Sequence, residues 1–141
     1  MAKLNDAALR LTLVLAGLFA VLSGIDTALG GLETLGWMGQ AAFYEVSDQA
    51  GFLVADNHQR FLGGVWTGLG LAIFFALRDL ERHRTALALV FGMVFLGGLS
   101  RFSQLNLAVT FGPDIAGALF VELVGMPALF IWLQRTVKRA A

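Results

Sequence analysis

The sequence contains no cysteine, which excludes disulfide staples, thiolate zinc sites, iron–sulfur clusters and cysteine nucleophiles. Charge is also scarce. Charged residues make up 14% of the chain and hydrophobic ones 57%, where a soluble domain has about 25% and roughly 45–50%. With a mean hydropathy of +0.74, the composition is that of a membrane protein and excludes a soluble enzyme. Neither sign of charge predominates: 10 Lys and Arg balance 10 Asp and Glu. No basic stripe runs along the chain, so no nucleic-acid partner is expected. The two histidines, His58 and His83, fall at opposite ends of one apolar run, which excludes two-histidine haem ligation within a chain. No metal and no cofactor are expected.

What is present is a set of long apolar runs. At 141 residues the chain is one domain, and four spans of about 20 residues fit within it. The expected spans are about 9–30, 60–78, 84–101 and 115–134. The fold class expected is all-α, an integral membrane four-helix bundle. The first run resembles a signal peptide and is expected to be retained as a helix. Lys3, Arg10, Arg78, Arg82, Arg84, Arg135, Lys138 and Arg139 all fall at one end of their spans. Both termini are therefore predicted to be cytoplasmic, in a multi-pass protein of the inner (plasma) membrane. An external loop at 33–57 follows, with Trp37 and Tyr44 as interfacial anchors, and Ser47 is the expected cap of a helix leading into the second span.

Ionised side chains inside spans are costly, so they are candidate functional groups. At 1.5 Å per residue, Arg60, Arg101, Asp26 and Glu122 all lie in the external half of their helices. Two arginines and two carboxylates, one per helix, would meet in a compact bundle. Such a cluster reads as structural ion pairs, as a ligand-handling site, or, for the arginines, as phosphate binders. His58 joins it as a neighbour of Arg60. Small residues recur every four positions in Gly64, Gly68, Ala72 and Ala76 below Arg60. A close helix contact is expected along them, and another at Gly97 and Gly98. Pro127 is expected to bend the last helix.

Three segments carry a resemblance to a known family: Asn57-His58-Gln59-Arg60-Phe61-Leu62-Gly63-Gly64 with Gly68 and Gly70, then Gly97-Gly98-Leu99-Ser100-Arg101, and Glu122-Leu123-Val124. Together they resemble a bacterial family described only as domain of unknown function 4345. That resemblance implies a four-helix integral membrane protein and brings no activity, cofactor or substrate. The function expected is a non-enzymatic accessory or lipid-binding component, with membrane lipids, a larger membrane-protein complex or further copies of the chain as partners. The alternatives are a membrane enzyme using Glu122 or Asp26 for acid–base chemistry, and an oligomeric small transporter.

Overall fold

A computed structural model describes the backbone of residues 2–34 and 46–138. Trp37 and Tyr44, the expected interfacial anchors, lie outside the described residues. Among those described, regular structure is helical. Helix α1 (Ala2–Gly30) runs through an apolar sequence until Gly31, whose φ of 63° is the left-handed conformation that closes a helix. A 3-10 turn, Gly31–Glu33, follows. Helix α2 (Gln49–Ala76) is capped by Asp48, whose side chain accepts from the Gly51 N–H at 3.0 Å. The cap is thus one residue beyond the expected Ser47, a carboxylate being at least as good an acceptor as a hydroxyl there.

After a tight turn, in which the Asp79 carboxylate accepts from the Arg82 N–H, comes α3 (Arg84–Ser100) and a 3-10 turn, Arg101–Gln104. A one-turn helix α4 (Leu107–Thr110), capped by Asn106, leads to α5 (Pro113–Phe120), where proline sits in the first turn and loses no helical hydrogen bond. Residues Val121–Gly125 are π-helical, and α6 (Met126–Lys138) continues the same helix.

Among the described residues three stretches are long and apolar enough to cross a membrane: Leu4–Glu33, Arg84–Gln104 and Pro113–Val137. Helix α2 is not among them. Its apolar half is diluted by Gly63, Gly64, Gly68 and Gly70, with Trp66 and Thr67 between them.

The chain divides into two compact units, Leu11–Phe75 and Met1–Arg10 with Ala76–Ala141. In the first, α1 and α2 are antiparallel and their backbones nearly touch. A Cβ on Gly24 would lie 2.5 Å from the Thr67 nitrogen, and one on Gly70 would lie 2.8 Å from the Val21 nitrogen. Gly63 meets Ala28, and Gly17 faces the ring of Phe74. Trp66 seals this seam by donating its indole N–H to Ser23 Oγ at 3.0 Å, and Ser23 in turn donates to the Phe19 carbonyl.

The contact expected at Gly64 and Gly68 is not made among the described residues: a Cβ at either meets none of them within 4 Å. The true seam follows Gly17 and Gly24 on α1, with Gly31 just past its end, and Gly63 and Gly70 on α2, at seven-residue intervals. A heptad keeps one face toward an antiparallel neighbour, whereas a strict four-residue stripe rotates off it.

In the second unit, α3 packs against the last helix through Leu87, Val90, Phe91 and Gly98 on one side and Leu119, Met126 and Leu133 on the other, all buried. Asn5 accepts from the Trp132 indole at 3.0 Å and donates to Thr136 Oγ1 at 2.9 Å, joining the first turns of α1 to α6.

The glycine seam makes a direct forecast for thermal unfolding in detergent. Gly24→Ala should cost about 1–3 kcal/mol through overpacking. Gly64→Ala should be neutral or stabilise by up to about 1 kcal/mol through helix propensity. Equal effects at the two positions would contradict the seam.

Candidate functional site: arginine–carboxylate pairs

Arg101 follows the last residue of α3, and Glu122 lies in the π-helical segment. They form a bidentate pair, with Nε donating to Oε2 at 2.7 Å and Nη2 to Oε1 at 2.6 Å. Such a fork-to-fork arrangement fixes direction as well as distance. Two local features make it possible. Gly98, one turn before Arg101, has no side chain in the way: a Cβ there would come within 2.8 Å of the Glu122 Cβ and 2.9 Å of Leu123 Cδ2. The second feature is Pro127, which has no N–H to give and so cannot donate to a carbonyl four or five residues back. The helix widens just before it, with the Met126 N–H reaching back to the Val121 carbonyl. That register slip turns Glu122 relative to the α5 residues preceding it. The bend expected at Pro127 is thus a π-helical widening.

The pair is not sealed. The Arg101 side chain is 37% exposed and Glu122 14%. Two of the five guanidinium N–H groups are used on Glu122, and the other three take no partner among the described residues.

Arg60 belongs to the other unit and is spent differently. Its Nε donates to Asp56 Oδ2 at 2.6 Å, and its Nη1 donates to the Leu29 carbonyl at the end of α1. Asp56 also accepts from the Leu32 N–H at 2.8 Å. A Cβ on Gly31 would collide with the Asp56 carboxylate, so the left-handed glycine makes room for it. Arg60 and Asp56 together satisfy a donor and an acceptor that the helix terminus leaves open. Asp56 lies before the apolar stretch that begins at Phe61. The Arg60 hydrogen bond first, and the Leu32 N–H second, hold its carboxyl below the ordinary aspartate value.

The four residues expected to cluster therefore divide into Asp26 and Arg60 in one unit and Arg101 and Glu122 in the other. Asp26 is half-buried and joins no ion pair among the described residues; its backbone carbonyl accepts from Thr34 Oγ1. His58 is exposed and takes no part in the Asp56–Arg60 pair. Gly97 has open space where a Cβ would be.

Asp56 is the residue that sequence reading missed. Its signal was the four-residue spacing Asp56–Arg60, which puts acid and base on one helix face. The same spacing recurs in Asp6–Arg10, paired at 2.9 Å, where Arg10 also donates to the Leu77 carbonyl just past α2. Among the described residues no group of three or more His, Asp or Glu could hold a metal ion.

Comparison with known proteins gives one match. The sequence fits the family described as Domain of unknown function (DUF4345) over residues 8–133, and the chain belongs to that family. No curated protein and no solved structure matches it.

Two measurements test these pairs. In a double-mutant cycle of Arg101→Gln and Glu122→Gln, the coupling energy in thermal unfolding should fall at about 0.5–3 kcal/mol; additive losses would mean the pair contributes nothing to the fold. Because the Asp56 pKa is depressed in the folded state, its contribution is present above the unfolded value of about 3.9 and is lost as pH falls through the folded value. Asp56→Asn should therefore flatten the acid side of the stability curve below about pH 4, and unchanged curvature would refute that assignment.

Proposed function

We propose that this DUF4345 chain is a four-span protein of the bacterial inner membrane, with both termini cytoplasmic, that works without catalysis as a lipid-binding accessory component. The observation that carries the lipid reading is the open Arg101–Glu122 pair. It sits near the end of a membrane-length helix, keeps three guanidinium N–H groups unspent, and is more than a third exposed on its arginine. Guanidinium in that state suits phosphate or ester oxygens at the headgroup level. Both Glu122 oxygens accept from Arg101, which leaves this carboxylate poorly placed to take a substrate proton and favours binding over acid–base chemistry.

The fourth span is the apolar half of α2. It is paired along its length with α1 by the glycine seam, and in lipid neighbouring helices of this kind supply the packing that hydropathy alone does not. The orientation rests on the gathering of Lys and Arg at the termini and in the α2–α3 turn.

Two experiments test the proposal. Single cysteines placed at Arg82 and Gln104 should react with an impermeant thiol reagent from the cytoplasmic and the external side, respectively; the reverse would overturn the orientation. Protein purified in mild detergent from its native membrane should carry phospholipid detectable by native mass spectrometry, and Arg101→Gln should lose most of it. A lipid-free wild type, or a variant that retains its lipid in full, would overturn the lipid-binding reading.

A further inference from the structure

Between α3 and α6 runs an open groove of about 280 Å³, lined by Ala88, Phe91, Gly92, Phe95, Met126 and Phe130, with Pro127 at its edge. Its lining is almost wholly apolar. It lies on two stretches long and apolar enough to cross a membrane, so lipid is the medium that reaches it. The groove has depth because Gly92 has no side chain: a Cβ there meets nothing within 4 Å.

The ion pair joins the same two helices beyond the end of the groove. On α3, Phe95 is followed one turn later by Gly98, and Arg101 comes nearly a turn after that, just past the helix end. On the facing helix, Met126 is preceded by Glu122, and Gly98 touches Glu122 across the seam. At 1.5 Å per residue, about 9 Å of helix separates Phe95 from Arg101. An apolar slot and a polar head thus lie along the same two helices, within the length of a lipid.

The charge at that end narrows the occupant. Arg101 and Glu122 sum to zero, so an anionic headgroup would gain from the guanidinium and lose to the carboxylate beside it. A zwitterionic headgroup matches both, with phosphate on the unspent Arg101 N–H groups and ammonium beside Glu122.

We propose that the α3–α6 groove holds one acyl chain of a zwitterionic phospholipid whose headgroup is seated on Arg101 and Glu122. This rests on the lipid-binding reading above and names its ligand and where the chain lies. Acyl chain and headgroup are held by separate residues, so each can be removed alone.

The test uses the whole protein in vesicles containing a phosphatidylethanolamine or a phosphatidylglycerol, each with a photoactivatable group on the acyl chain. The phosphatidylethanolamine probe should crosslink to peptides containing residues 88–95 and 126–130, with the phosphatidylglycerol probe clearly weaker. Gly92→Phe fills the slot from a position with open space. It should cut that crosslink roughly tenfold while leaving thermal stability unchanged. Glu122→Gln should narrow the difference between the two probes. Crosslinks spread evenly along the helices, equal labelling by both probes, or undiminished labelling of Gly92→Phe would overturn the proposal. If the purified wild type still carries a lipid that Arg101→Gln loses, those failures leave lipid binding standing and remove only the groove. A dimer that forms through this face and excludes the probe would also overturn it.

Discussion

A guanidinium in or beside hydrocarbon has no bulk water to fall back on, and neither has the open end of a helix. This chain answers both demands with the same groups. Arg60 takes Asp56 as its acid and the Leu29 carbonyl as its second partner, closing α1 with a side chain of α2. Arg10 repeats the device, holding Asp6 and the Leu77 carbonyl beyond α2. Arg101 departs from it. Its carboxylate comes from the facing helix, both bonds of its fork go to Glu122, and no helix terminus takes the remainder. Two arginines thus close helix ends, while the third makes both its bonds to a carboxylate of the facing helix; each uses two of its five N–H groups in these bonds. What sets Arg101 apart is its place: its pair joins the two helices that flank the apolar groove.

The backbone is shaped to allow these contacts. Gly31 adopts a positive φ and leaves room for the Asp56 carboxylate; Gly98 lets Glu122 approach α3; Pro127 forces the widening that turns Glu122. Along α1 and α2, glycines bring the two backbones to van der Waals contact. Where no hydrophobic effect drives helices together, such packing and a few side-chain bonds like Trp66–Ser23 carry association. Close packing and ion pairing are therefore coupled: adding a methyl group at Gly98 would push away the carboxylate that Arg101 requires.

Much of this was legible in the sequence. Helix positions followed from the apolar runs, and the cost of buried charge singled out Arg60, Arg101 and Glu122. The phase of the glycine stripe was not legible from four-residue spacing, because Gly63 and Gly64 are adjacent and either could begin a stripe; the seven-residue interval shared by Gly17, Gly24 and Gly31 was the better guide. Depth points to carboxylates on other helices as partners of Arg60, whereas Asp56 stands one turn away on the same one. Glu122 was recognised by depth, but its orientation depends on a register slip that begins with the missing N–H of Pro127, and hydropathy carries no trace of that. Asp26 qualified by the same depth criterion and has no ion-pair partner among the described residues, so depth finds candidates and only geometry pairs them.

The central claim is that Arg101 and Glu122 are in direct bidentate contact while the protein is in a bilayer. Solid-state NMR on protein in lipid, with nitrogen-15 in the Arg101 guanidinium and carbon-13 in the Glu122 carboxylate, measures that contact through the dipolar coupling between the two labels. The account predicts a strong coupling from both Nε and Nη2, as required by N···O separations of 2.7 and 2.6 Å. Absence of coupling from both nitrogens would contradict it.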